Sequence, residues 1–269
     1  MTRPPDLAYL VCATPRSGST LLCELLRGTG LAGNPLEHFE VLRRSGLPRQ
    51  PREYFAGVRD RSVLELLAPL DPGRPDDEPP AAWRERVVRA GTTPNGVWGG
   101  KLMWGHVGDL LGRARALDGL RGADLLTALR VLLGDLRFVF VTRADKVSQA
   151  VSLWRAVQTR RWRADAGSPP RPHNAVYHFA AIDHLVRQLE AEEAAWRAWF
   201  DALPSGPGRP LQLWYEEIDA EPRAAAEQVL GFCGFAGAPV GDPPLRHQRD
   251  AQSQEWVVRY LTEKREAAA

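Results

Sequence analysis

The chain has 269 residues, 44% of them hydrophobic, and its 35 basic and 33 acidic side chains leave a net charge of +2. That length suits one large α/β domain with insertions, or at most two small ones, and the apolar content is ample for a core. The near balance of charge gives no reason to expect a nucleic acid partner, and no stretch approaches the roughly 20 apolar residues of a membrane span.

Cys12, Cys23 and Cys233 form an odd set without metal-ligand spacing. They read as reduced core cysteines of a cytoplasmic protein. The first residues, Met1 to Asp6, lack the apolar core of a signal peptide.

Tyr9 to Ala13 is a short apolar run, followed by Thr14-Pro15-Arg16-Ser17-Gly18-Ser19-Thr20 and then by paired apolar residues from Leu21 to Leu26. The pattern predicts strand, tight loop and helix, the architecture of a phosphate cradle, because a helix N-terminus aims free N–H groups and its positive dipole end at one point. Against G-x-x-x-x-G-K-S/T, Gly18 and Thr20 fit, Ala13 replaces the first Gly and Ser19 replaces the Lys that reaches the terminal phosphates of a nucleoside triphosphate. A nucleotide kinase or hydrolase is therefore disfavoured, while Arg16 still supplies a cation for a bound phosphate. The alternative is an ordinary Pro/Gly turn before a capped helix.

Leu31-Ala32-Gly33 reads as a short second strand, and Asn34-Pro35-Leu36-Glu37-His38-Phe39-Glu40 as an ionisable loop at its end, where open parallel sheets gather their chemistry. Residues 41–95 alternate proline-rich pieces with short helical runs and read as an insertion packed over one end of the sheet. Gly96 to Trp104 predicts a third strand whose internal glycines mark a close approach; Lys101 beyond them is either a site residue or a strand-end cap.

Leu136 to Thr142 is the clearest strand, apolar as a central parallel strand should be. It ends in Arg143, and the helix expected from Asp145 carries Ser148 and Ser152 on one face, so a second anion site can form there. Arg155 to His173 reads as a mobile loop, the basic run Arg160 to Arg163 as a solvated face, and Asn174 to Phe200 as the longest helix. Pro210 to Glu217 supplies a last strand, Pro222 opens a helix to Phe232, and Trp256, Val257, Tyr260 and Leu261 should dock the final short helix. Strand and helix in alternation give a parallel α/β sheet with helices on both faces.

Two anion sites on one sheet, neither a nucleoside triphosphate motif, fit a ligand phosphorylated at two positions. The loop Thr14 to Thr20 resembles the 5′-phosphosulfate loop of sulfotransferases, and Arg143 with Ser152 resembles their 3′-phosphate site. Longer blocks, Pro51 to Phe55, Thr93 to Trp104, Val147 to Ser152, Trp154 to Thr159 and Glu255 to Val257, resemble the bacterial trehalose 2-sulfotransferase family. That resemblance implies a single P-loop-like sulfotransferase domain with a parallel five-stranded sheet, 3′-phosphoadenosine-5′-phosphosulfate as donor, a disaccharide acceptor and a homodimer; no metal is expected, since the chain offers no convincing ligand cluster. It implies that Arg16, Ser17, Gly18, Ser19, Thr20, Arg143 and Ser148 or Ser152 hold the donor, with Arg16 and Lys101 at the reacting group. Pro15, Asn34, Glu37, His38, Phe39, Glu40 and Tyr54 then line the acceptor site.

Many sulfotransferases carry a basic His in a Lys-x-His strand end; here that place is Met103, which takes no proton. Glu37, His38 and Glu40 are the neighbouring candidates for the base, and the resemblance points to Glu37. The chain departs from the family at Pro15, Asn34 and Tyr54, where members carry Gln, Glu and Trp, so the acceptor can differ. A non-catalytic protein that binds nucleotide and sugar is the rival outside enzymes.

Overall fold

The computed structural model describes residues 4–162, 175–204, 209–242 and 251–269. In chain order these form β1 (Leu7–Ala13), α1 (Ser19–Gly28), α2 (Arg61–Leu64), α3 (Pro80–Gly91), β2 (Val97–Met103), α4 (Val107–Ala114), α5 (Leu125–Leu133), β3 (Leu136–Thr142) and α6 (Lys146–Thr159). There follow α7 (Phe179–Asp201), β4 (Leu211–Trp214), α8 (Tyr215–Ala220), α9 (Pro222–Phe232) and α10 (Ala251–Glu266), with single 3₁₀ turns at Pro51–Phe55 and Trp104–His106.

The sheet is parallel throughout, in the order β2-β1-β3-β4. Alternation along β1 divides the core. Ala8, Leu10 and Cys12 face α4, α5 and Trp196 of α7, whereas Tyr9, Val11 and Ala13 face α1 and α9. A third apolar cluster joins α6, α7 and α10 to Tyr54 and Phe55 of the inserted region. Because β1 is flanked by β2 on one side and β3 on the other, the crevice at its C-terminal end is the switch point where ligands bind in open α/β sheets.

The expected strand at Leu31–Gly33 is absent, leaving four strands among the described residues. Gly30 and Gly33 have φ of +68° and +66°, and a Cβ on Gly33 would lie 2.2 Å from the amide nitrogen of Gly99. The chain crosses the β2 edge too closely to run alongside it, and pairing shrinks to one parallel bridge between Leu36 and Gly100. The last strand also stops early, since Tyr215 turns into α8 with the Glu217 carboxylate accepting from the Trp214 amide.

The segment expected as a mobile loop from Arg155 begins instead as helix, with α6 running to Thr159; residues 163–174 lie outside the described residues. Trp162 leaves the expected solvated face and stacks on Tyr54 at 5.7 Å. The longest helix starts at Phe179 rather than Asn174, capped by His178, and Val176 before it is exposed. At the C-terminus α10 docks through buried Trp256 and Tyr260, one turn apart, with the Tyr260 hydroxyl donating to Asp183 at 2.9 Å. Leu261 faces outward.

Candidate active site

The loop after β1 is held from behind. Gln149, fully buried on α6, donates through Nε2 to Thr14 Oγ1 at 2.9 Å and to the Pro15 carbonyl at 2.7 Å, and the Trp196 indole donates to the Ala13 carbonyl at 2.9 Å. Gly18 caps α1 at φ +83° with no side-chain cap. The Tyr215 ring lies against it, so that a Cβ there would meet Tyr215 Cδ2 at 2.8 Å. Ser17 and Ser19 are buried, with their hydroxyls 3.5 Å apart. The helix N-terminus thus opens into the crevice through backbone N–H groups, a ready site for an anion.

Two arginines converge on this loop. Arg16, itself left-handed at φ +64°, donates from Nε to Ser152 Oγ at 2.9 Å and from Nη1 to the Trp162 carbonyl at 2.7 Å. Arg143 donates to the Arg16 carbonyl at 3.2 Å and stacks 4.1 Å over the Tyr215 ring. Burial, with Arg143 adding, pushes the Arg16 guanidinium down to about 10, so it remains a cation at neutral pH. Ser152 lies against Arg16. Ser148, one turn earlier, gives its amide to the capping Asp145 at 2.8 Å.

On the other flank, β2 delivers Lys101 into the crevice at 3% exposure. Its ammonium donates to Thr20 Oγ1 at 3.0 Å and pairs with Glu37 Oε1 at 2.8 Å. One cation therefore ties the anion loop to the carboxylate of the Asn34–Glu40 loop. His106 Nδ1 lies 3.9 Å from the other Glu37 oxygen. Nearby, Arg49 stacks 4.1 Å over Tyr54, which also stacks on Trp162. Burial raises the Tyr54 hydroxyl well above its usual range, with Arg49 opposing and Glu37, Glu192 and Glu40 adding, which places Glu40 in the same electrostatic neighbourhood.

The remaining acceptor-loop residues have other duties. His38 Nε2 lies 2.9 Å from the Asn34 carbonyl and 3.2 Å from that of Gly99, two acceptors that fix a proton on this nitrogen. Burial also lowers the His38 pKa. Phe39, expected at the acceptor, is 2% exposed and packs with Trp83 and Trp98 in the core, because its side chain points under the loop. Asn34 donates its amide to the Ala90 carbonyl at 2.9 Å, anchoring the loop to α3, and Pro15 is buried.

Sequence reasoning passed over His106, Arg49, Gln149, Tyr215 and Trp162. A histidine and a tyrosine just past the ends of β2 and β4 carried a usable signal, since loops there border the crevice. Gln149 gave none: it differs from any helical polar residue only by its tertiary partners.

The donor set in the crevice, two arginines, a lysine and uncapped helical amides, suits a ligand bearing more than one phosphate or sulfate group; a carboxylate beside the lysine suits a proton acceptor. That combination defines a group-transfer enzyme of the sulfotransferase class. The Stf0 sulphotransferase family model matches residues 8–263, and the chain belongs to that family. It is similar to two proteins named trehalose 2-sulfotransferase. One, from Mycobacterium tuberculosis, is 48% identical over 256 residues, 95% of this chain and 94% of the relative. The other, from Mycolicibacterium smegmatis, is 45% identical over 254 residues, 94% of each. A solved sulfotransferase domain from the Synechococcus PCC 7002 olefin synthase is similar over 94% of this chain and 84% of that one, at 17% identity and a TM-score of 0.41.

Proposed function

We propose that this sulfotransferase moves a sulfuryl group from 3′-phosphoadenosine-5′-phosphosulfate to a carbohydrate hydroxyl, the 2-hydroxyl of trehalose. The observation that carries the reading is the Lys101 ammonium, shared between the anion loop at Thr20 and the Glu37 carboxylate. It sets a proton acceptor beside the place where a transferable anion binds. The names of the two relatives support the acceptor.

The donor's cation-binding needs fit the residues present. Arg16 and the amides from Ser17 to Thr20 hold the 5′-phosphosulfate, and Arg143 with Ser152 holds the 3′-phosphate. When bound, the donor supplies an electrophilic sulfur with a phosphate leaving group. Lys101 and the α1 N-terminus meet the charge that develops on that phosphate. Glu37 takes the proton of the attacking hydroxyl, a poor nucleophile at neutral pH, a contribution of typically about 10²–10⁴-fold. Tyr54, its ring covered by Arg49 and Trp162, holds these two side chains at the acceptor side.

In this reading the chain is one catalytic domain in which residues 41–95 close the acceptor side, it works as a cytoplasmic homodimer, and the protein's own cations make a metal unnecessary. Among the described residues no helix is long and apolar enough to cross a membrane. The test is transfer of labelled sulfate from the donor to trehalose. Labelled product at the 2-hydroxyl, formed equally in EDTA, is expected. A product on another disaccharide only, or activity that EDTA abolishes and magnesium restores, contradicts the proposal.

A further inference from the structure

His106 closes the 3₁₀ turn that follows β2 and is 3% exposed. Its Nδ1 lies 3.9 Å from Glu37 Oε2, while Glu37 Oε1 is held 2.8 Å from Lys101. A separation of 3.9 Å is too long for a direct hydrogen bond. One oxygen atom can bridge it with bonds of about 2.8 Å to each side that meet at roughly a right angle.

The charge state favours such a bridge. Burial, with Arg49 and Lys101 adding and Glu37 opposing, lowers the His106 pKa to about 4, so at neutral pH the imidazole is neutral and forms no ion pair with the carboxylate. The position is also fixed. Arg49 presses on the preceding residue so closely that a Cβ on Gly105 would lie 2.3 Å from its Nη1.

We infer that His106 and Glu37 together hold the attacking hydroxyl, an assignment that rests on Glu37 being the base. Nδ1–H donates to the hydroxyl oxygen and the hydroxyl donates to Oε2. As the oxygen–sulfur bond forms, the bond from sulfur to the donor's bridging phosphate oxygen breaks and the hydroxyl proton passes to Oε2. His106 keeps its proton throughout. It aims the oxygen without adding a positive charge that would weaken the basicity of Glu37.

The test compares His106→Phe, His106→Asn and His106→Gln with Glu37→Gln, reading acceptor kinetics by labelled-sulfate transfer and adenosine 3′,5′-bisphosphate affinity by calorimetry. His106→Phe should lower kcat/KM for the acceptor about tenfold to a hundredfold, with bisphosphate affinity unchanged. His106→Asn, whose amide falls where Nδ1 lies, should recover most of the loss and exceed His106→Gln, whose amide falls where Nε2 lies. If the Phe variant does not fold, the Asn and Gln pair decides alone: equal or reversed activities overturn the assignment. So does a Phe variant within twofold of wild type, or a loss of bisphosphate affinity in step with activity. Near wild-type turnover by Glu37→Gln would instead overturn the base beneath it.

Discussion

The Lys101 ammonium sits 2.8 Å from Glu37 Oε1 and 3.0 Å from Thr20 Oγ1, joining the two halves of the site through one buried cation. An ammonium has three N–H donors, so a third remains for a bound anion. Lys101→Met keeps the stem and removes the charge. Hydrogen bonds to charged groups contribute roughly 1.5–3 kcal/mol, so kcat should fall at least about tenfold to a hundredfold, with a smaller change in bisphosphate affinity. Transfer at the wild-type rate would make Lys101 a strand-end cap.

Arg143→Ala should weaken adenosine 3′,5′-bisphosphate binding about tenfold or more by calorimetry, since it removes a charged donor and its stack on Tyr215. Of the two helix hydroxyls, Ser152 accepts from Arg16 and is the one proposed at the 3′-phosphate. Ser152→Ala should therefore cost more bisphosphate affinity than Ser148→Ala, and the reverse order would move the 3′-phosphate one turn toward the N-terminus of α6.

Gly18→Ala meets two obstacles, a backbone at φ +83° and the Tyr215 ring 2.8 Å from the new Cβ. Left-handed backbone costs an L-residue roughly 1–2 kcal/mol before any clash. Thermal melting should show the loss of stability and calorimetry a loss of bisphosphate binding; a variant that melts and binds as wild type would deny the loop its cradle role.

His106 makes stability depend on pH with a definite sign. Its folded pKa of about 4 lies below the ordinary 6.5, so between these values the unfolded chain binds more protons and stability falls as pH is lowered. The full difference is on the order of 3 kcal/mol, present above pH 6.5 and lost toward pH 4. His38 shifts in the same direction, so the readout is a comparison: His106→Asn should have a flatter melting-temperature profile than wild type across this window. Identical slopes would show that His106 titrates normally.

Acceptor choice can be probed at two departures from the family. If the chain prefers another glycan, Pro15→Gln and Asn34→Glu should raise trehalose turnover in the labelled-sulfate assay. Should wild type already prefer trehalose and both changes harm it, the departures do not set the acceptor, in keeping with the Asn34 amide being spent on Ala90.

The strands most legible in the sequence were those with continuous apolar runs, β1 and β3, whose burial on both faces leaves no other reading. Leu31–Gly33 misled because an apolar pair before a glycine looks like a short strand, whereas the positive φ at Gly30 and Gly33 turns the chain across β2. Arg16, Lys101 and Arg143 were legible as cations at strand ends. Their partners were not: Lys101 meets Glu37 only because Leu36 bridges Gly100 and its carbonyl accepts from the Lys101 amide, and Arg16 meets Trp162 across 146 residues. Phe39 was misplaced because the sequence cannot show that alternate side chains of an irregular loop point under it.

The account turns on Glu37 taking the proton of the acceptor hydroxyl. Glu37→Gln preserves size and hydrogen bonding while removing basicity, and single-turnover transfer of labelled sulfate measures the chemical step directly. The account predicts a fall of at least about a hundredfold with bisphosphate affinity intact. Transfer near the wild-type rate, with His38→Ala or Glu40→Gln inactive instead, would contradict it.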